Sequence, residues 1–168
     1  MSKIDDVFKA LRAKNQRALM PFLTAGDPDL ATTAAVLGEL VKRGCQLCEL
    51  GIPYSDPIAD GPVIQASYTR ALNNKIKLNA ILDMARGVVP TLAAPVVTMV
   101  SYAIIYRQGI EKYIDQAQAA GIAGAIVPDL PVEEAREMAA ICRKRDFILI
   151  QLVTPTTPRD RAIQIAES

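Results

Sequence analysis

Histidine is absent from all 168 residues, and this removes more chemistry than any other feature of the composition. Without it there can be no Ser-His-Asp triad and no His-Glu-x-x-His zinc site. Acid–base work falls to carboxylates, Tyr, Lys or Cys. Net charge is missing too: 19 Lys and Arg oppose 18 Asp and Glu, leaving +1. That balance gives no electrostatic footprint for nucleic acid or an anionic membrane, so a small-molecule or protein partner is expected. Neither a Walker phosphate loop nor a Gly-x-Gly-x-x-Gly segment occurs, and nucleotide binding lacks its usual signals.

Cysteine is scarce, with three residues in all. Two stand in Cys45-Gln46-Leu47-Cys48, a spacing that could serve redox or metal chemistry. With no His and only Cys142 besides, a zinc site would lack its usual ligands. The pair reads instead as two small apolar residues leading into a buried strand. The start, Met1-Ser2-Lys3-Ile4-Asp5-Asp6, has no apolar core of the kind a secretion signal carries, so a cytoplasmic location is expected. Gly87 to Tyr106 is uncharged and about the length of a bilayer span. Pro90, Pro95 and the Val, Thr and Tyr content favour a loop and a buried strand there.

What the sequence does contain is repetition. Ile4, Val7, Phe8 and Leu11 follow helical spacing, with Ser2 and Asp5 placed as a capping box. The first apolar run, Ala18 to Thr24, ends at the turn Gly26-Asp27-Pro28. A helical pattern from about Asp29 to Arg43 stops at Gly44, a C-cap residue. The second strand lies around Glu49, and helices follow at about Pro62–Leu72 and Leu78–Val88. Strands are expected at Val96–Ser101, Ala125–Pro128 and Ile148–Val153, with helices at Gln108–Ala120, Val132–Lys144 and Pro158–Glu167. Strands alternating with helices imply an α/β fold with a parallel sheet. Right-handed crossovers then bring Phe22, Glu49, Tyr102, Asp129 and Thr154 to one end of that sheet.

Glu49 is the most informative of these. The strand around it, with Leu47, Cys48, Leu50 and Ile52, is apolar on both faces, as in a buried parallel strand. A carboxylate there is costly unless it is paired, protonated or lining a wet pocket. The competing readings are a surface Glu at a frayed strand end and a member of an internal ion pair. After the strand, Gly51 and Pro53 break the run, and a turn-rich loop carries Asp56 and Asp60 before helical spacing resumes near Val63.

Three segments together carry a family resemblance: Pro21 to Pro28 (PFLTAGDP), Glu49 to Gln65 (ELGIPYSDPIADGPVIQ) and Val127 to Pro131 (VPDLP). In order and approximate spacing they resemble the tryptophan synthase alpha subunit. The resemblance implies a (β/α)8 TIM barrel, of which residues 1–168 would form a single partial domain: an N-terminal helix and about five of eight βα units. A whole barrel takes about 250 residues, and this chain stops where a sixth strand should follow.

The implied chemistry is a lyase reaction of tryptophan biosynthesis. Indole-3-glycerol phosphate is split by a retro-aldol step into indole and glyceraldehyde 3-phosphate. Glu49 matches the family's catalytic acid/base and Asp60 the carboxylate that holds the indole nitrogen. Two carboxylates in different settings, one on an apolar strand and one in a polar loop, suit two roles. Phe22, Ile64, Tyr102 and Val127 match positions lining the indole pocket, where ordinary barrel core is the competing reading. Asp129 also fits a site position, and an N-cap for the following helix explains it equally well.

Asp56 and Pro57 match the part that meets the beta subunit of an alpha2beta2 heterotetramer. That partner carries pyridoxal phosphate, and this chain itself is expected to need no cofactor and no metal. One stretch, Tyr102-Ala103-Ile104-Ile105-Tyr106, departs from the family pattern by lacking an Asn after the Tyr. A second functional reading is a non-catalytic module that binds and modulates a beta subunit.

Overall fold

Ser2 and Asp5 close the first turn of α1 (Lys3–Ala13) as the expected capping box. The Ser2 hydroxyl accepts the Asp5 N–H at 3.2 Å, and the Asp5 carboxylate accepts the Ser2 N–H at 2.9 Å. Each satisfies a backbone donor that a helix start leaves unpaired. The structure is a computed structural model that describes residues 2–57 and 60–168; Ile58 and Ala59, in the middle of the loop motif, and Met1 lie outside the described residues.

After α1 come β1 (Phe22–Thr24), α2 (Leu30–Lys42), β2 (Cys48–Gly51), α3 (Pro62–Asn73), α4 (Leu78–Val88) and a 3-10 turn (Val89–Thr91). Next are β3 (Val96–Met99), α5 (Tyr102–Gln108), α6 (Ile110–Ala119), β4 (Gly124–Ile126), α7 (Arg136–Lys144), β5 (Ile148–Ile150) and α8 (Arg159–Ala166). The five strands form one sheet in the order β1-β2-β3-β4-β5, every pair parallel. Each strand lies beside the next in sequence with no reversal of direction. That is the winding of a (β/α)8 barrel, whereas a doubly wound sheet reverses at a switch point. Leu19 before β1 and Leu152 and Val153 after β5 are exposed apolar residues flanking the two edge strands.

The sheet has two unlike faces, because side chains alternate along a strand. Cys48, Leu50, Val96 and Ala125 belong to a large core against the helices, with Leu37, Leu82, Ile114 and Phe147. Leu47, Val97 and Ile126 form a smaller cluster on the inner face, with Met99, Ile148 and Ile150 packed on it and Ile4 of α1 joining it. The register Phe22–Glu49–Val97–Gly124–Ile148 runs across all five strands, and Glu49 falls on the inner face by this alternation. The strand is apolar on both faces, as expected: Cys48, Leu50 and Ile52 enter the helix-side core and Leu47 the inner-face cluster, the face on which the carboxylate sits.

Several boundaries differ from expectation. The helix expected from Gln108 is preceded by α5, which begins at Tyr102, in the stretch that departs from the family pattern. The Ser101 hydroxyl accepts the Ala103 N–H at 3.3 Å, and Gly109, at φ +90°, separates α5 from α6. The helix expected from Val132 starts at Arg136, after a turn in which the N–H groups of Glu134 and Ala135 bond to Pro131 O. β5 ends at Ile150, so Gln151 to Val153 lie outside the ladder.

The uncharged run from Gly87 to Tyr106 divides into the end of α4, the 3-10 turn, β3 and the start of α5. Among the described residues no helix is long and apolar enough to cross a membrane. Cys45, Cys48 and Cys142 are free thiols buried in the helix-side core, packed as small apolar groups.

Candidate active site

In a sheet of parallel strands all C-terminal ends share one edge, and helices return the chain to the other. The loops after β2, β3 and β4 meet at that edge around a cavity of about 180 Å³. Its apolar walls come from Ile52, Met99, Val100 and Pro128, and its polar groups are Asp56, Asp60, Asp129, Ser101 and the two phenols Tyr54 and Tyr68. Asp60 and Asp129 also border a wider cleft that runs along the strand ends to Thr154, past Val127.

Glu49 stands lower on the inner face, beside Phe22 in register. Its backbone N–H donates to Pro21 O at 2.9 Å. Burial raises its carboxyl above the usual value, so a proton is held more readily than by a solvated Glu. Gly51, two residues on and on the same face, lets this part of the site close up. A Cβ there would run into the Phe22 ring and stand 3.1 Å from the Tyr68 hydroxyl. Phe22 opens β1 rather than ending it, and its ring lies over Gly51 in the space a side chain there would fill; neither Phe22 nor Glu49 is among the residues that border the cavity.

Asp60 lies in the loop after β2, and its carboxyl is also raised by burial. The expected contrast between an apolar-strand carboxylate and a polar-loop carboxylate is therefore reduced: both are partly desolvated. Asp60 differs in bordering the cavity itself. Gln65 Nε2 donates to Asp60 O at 2.8 Å, tying that end of the loop to the first turn of α3.

α3 is pinned from β1 and its following loop. The Thr24 and Ser67 hydroxyls bond at 2.6 Å. Arg70 grips Asp27 through two bonds of 2.9 and 2.7 Å, and the Arg70 guanidinium lowers the Asp27 carboxyl pKa. Asn74 Nδ2 donates to Pro28 O at 2.9 Å. Helix α3 is thereby held over the C-terminal end of β1 and β2, with Tyr68 buried toward the site.

Of the sequence-predicted site residues, Asp56, Pro57, Asp60 and Asp129 border the cavity. Asp56 is exposed and accepts the Ser55 hydroxyl at 2.6 Å. Val127 is buried in the helix-side core and touches the wider cleft. Ile64 is half-buried on α3. Tyr102 is not brought into the cavity: its ring packs against the helix-side core, with its centroid 6.0 Å from that of Tyr106. The reason is α5, which turns residue 102 into the first residue of a helix and directs the ring along the helix surface.

Asp129 does not cap the helix that follows it. Its carboxylate accepts the Ser101 hydroxyl at 2.7 Å and the Tyr102 N–H at 2.7 Å, so it caps α5 from the neighbouring strand end. Tyr68 was not singled out from the sequence. Its spacing of four from Ile64 places both on one face of α3, a signal present but silent without knowing which face meets the strands.

The cavity thus combines apolar walls with three carboxylates and, among its described lining residues, no cation. Such a site suits a ligand with a flat apolar body and an N–H or O–H donor.

A family model for the tryptophan synthase alpha chain matches residues 8–168. The tryptophan synthase alpha chain of Rhodopirellula baltica is 56% identical over 170 residues, covering 99% of this chain and 61% of that protein. The corresponding chain of Trichormus variabilis is 49% identical, covering 100% and 63%. Among solved structures, tryptophan synthase subunit alpha from Legionella pneumophila superposes with a TM-score of 0.93 at 38% identity, over 98% of this chain and 63% of that one. A chain of the tryptophan synthase complex from Pyrococcus furiosus superposes with a TM-score of 0.86 at 40% identity, over 89% and 62%. The chain spans about three fifths of the length of these relatives. With five parallel βα units in barrel order, the loop motif between β2 and α3 and a match over nearly its whole length, this chain belongs to the tryptophan synthase alpha chain family.

Proposed function

We propose that this chain supplies the acid–base carboxylates of a carbon–carbon lyase that splits indole-3-glycerol phosphate into indole and glyceraldehyde 3-phosphate. The observation that carries the reading is Glu49: a carboxyl on the inner sheet face, raised by burial, on the strand that runs into Ile52 at the cavity wall. As a general acid Glu49 protonates the indole ring carbon that bears the side chain. The bond from that carbon to the glycerol chain then breaks, its electron pair returning to the ring as aromaticity is restored. Glu49, now a carboxylate, takes the proton from the glycerol hydroxyl whose oxygen becomes the aldehyde carbonyl. One proton enters and one leaves, so a single residue serves both steps.

Asp60 accepts the indole N–H and stabilises the positive charge that develops on the protonated ring. A donor arriving at Asp60 favours its ionised form and opposes the effect of burial. Phe22, Ile64 and Val127 are assigned to the apolar surroundings of the ring. The reaction is acid–base chemistry, so the chain is assigned no cofactor of its own; pyridoxal phosphate is assigned to a beta subunit. Asp56 and Pro57 are assigned to contact with that partner, in an alpha2beta2 assembly like the one described for Pyrococcus furiosus. A cytoplasmic location belongs to the same reading, supported by the three unpaired cysteines.

The test is release of indole from indole-3-glycerol phosphate by the protein carrying this chain, with and without a beta subunit, beside its Glu49→Gln variant. Loss of a general acid–base predicts a fall of about 10²- to 10⁴-fold. Substantial turnover in a folded Glu49→Gln protein removes Glu49 from the mechanism.

A further inference from the structure

Two hydroxyls link α3 to β1, and the bonds they make have a direction. Ser67, in the middle of α3, is 7% exposed. Its oxygen donates to Ile64 O at 2.8 Å and lies 2.6 Å from the Thr24 hydroxyl, across 43 residues of chain. Each hydroxyl owns one proton. With the Ser67 proton on Ile64 O, the short bond is made by the Thr24 proton, and both protons are used. With the order reversed the Ile64 bond is lost, and Thr24 Oγ1 makes no other hydrogen bond among the described residues. The relay therefore runs from Thr24 to Ser67 to Ile64 O, from the last residue of β1 into the first turn of α3. Thr24 faces Gly51 in register, so the relay starts beside the strand that carries Glu49. Gln65, next after Ile64, carries the constraint onward: its Nε2 donates to Asp60 O at 2.8 Å and reaches Pro57 O at 3.4 Å.

We propose that Ser67 is a positioning residue for Asp60: it fixes the start of α3 against β1, and Gln65 passes that placement to the loop residue that borders the cavity. The effect on turnover rests on the role assigned to Asp60 above; the relay itself rests on its hydrogen bonds. A serine in a helix can satisfy itself on the carbonyl three residues back, so the Ile64 bond alone would carry no such role. The Thr24 bond is what ties helix to strand. The other side-chain ties of α3 to the β1 loop lie farther along the helix, from Arg70 to Asp27 and from Asn74 to Pro28 O. Among the side-chain hydrogen bonds of the described residues, the bond from Thr24 to Ser67 is the tie to β1 nearest the loop that carries Asp60. A carboxylate that meets a developing positive charge must be held in place before the charge forms, so a loosened loop weakens the transition state more than it weakens substrate binding.

Three variants of the full protein carrying this chain separate the bonds. Thr24→Val removes the tie to β1 and leaves Ser67 bonded to Ile64 O, Ser67→Ala removes both bonds, and Thr24→Ser keeps both. Amide hydrogen exchange is read at Asp60 and Gln65, whose N–H groups donate to Pro57 O at 3.2 Å and Gly61 O at 3.0 Å. Exchange at both is expected to quicken in Thr24→Val and Ser67→Ala and to stay at the parent rate in Thr24→Ser, with the core amides of β3 and α6 unchanged as the control for global stability. Turnover in the same two variants is expected to fall about tenfold, in kcat rather than KM, with the double variant no worse than Ser67→Ala. Either variant carries the comparison if the other does not fold. Parent-like exchange at Asp60 and Gln65 in folded Thr24→Val overturns the proposal whatever the turnover. Faster exchange with undiminished turnover, in a protein whose indole release depends on Glu49 and Asp60, overturns it as well. Faster exchange in a protein whose indole release ignores Glu49→Gln upholds the relay and overturns the lyase reading instead.

Discussion

Asp129, at the end of β4, reaches across to the start of α5 and accepts two hydrogen bonds there, from the Ser101 hydroxyl and the Tyr102 N–H, each at 2.7 Å. The loops after β3 and β4 are thereby joined on the side of the cavity opposite α3. Replacing Asp129 with Ala is expected to cost about 1 kcal/mol, the usual loss for an N-cap carboxylate. Amide hydrogen exchange should quicken selectively at Tyr102 and Ala103, and unchanged protection there would mean that Ser101 alone holds the helix start.

Gly51 sets the closeness of β2 to its neighbours. A methyl group there meets the Phe22 ring and the Tyr68 hydroxyl together. Gly51→Ala is expected to destabilise by about 1–3 kcal/mol, the range for overpacking a filled site. A denaturant midpoint equal to that of the parent would show that the Phe22 ring yields freely.

Inside the helix-side core one polar pair is completely enclosed. Thr98 of β3 and Tyr113 of α6 are both 0% exposed, and their hydroxyls bond at 2.7 Å. Thr98→Val leaves the phenol without this partner and is expected to cost about 1–3 kcal/mol. The double variant Thr98→Val with Tyr113→Phe should recover part of that loss, since no orphaned hydroxyl remains. Strict additivity in the double-mutant cycle would contradict the coupling.

Glu49 offers a stability experiment independent of turnover. Its folded-state pKa is raised by burial, so between the unfolded and folded values the folded chain holds more protons than the unfolded one. Stability from this group is then complete below the unfolded pKa and is lost as pH rises through the folded pKa. Glu49→Gln cannot ionise, and at neutral pH it is expected to be as stable as the parent or more so. Its advantage should shrink as pH falls through the raised folded value and be gone below the ordinary Glu value. A Gln variant less stable than the parent at pH 7 would mean that the ionised Glu49 has a favourable partner.

Much of the architecture was legible because it is local. The bounds of α4 were read in full from apolar spacing, and the Ser2–Asp5 capping box from two residue types three apart. The βα alternation announced a parallel sheet, and strand-end placement announced where the polar residues would gather. The helix from Tyr102 to Gln108 was not expected, and half of its cap is non-local: Ser101 caps it from within the chain segment, but Asp129, which takes the Tyr102 N–H, lies 27 residues away.

Sequence alone determined which residue types are available for chemistry. With no histidine, acid–base work falls to carboxylates, and the Glu49 to Gln65 motif and its two companion segments pointed to a family before any coordinates. Tertiary structure decided how those residues are solvated and which of them meet. Burial raises both Glu49 and Asp60, turns Tyr102 away from the cavity, and brings Tyr68 from a silent helix position to its wall. Composition and periodicity fix a residue's likeness to its neighbours in the chain, whereas pKa, pairing and access depend on neighbours supplied by other strands and helices.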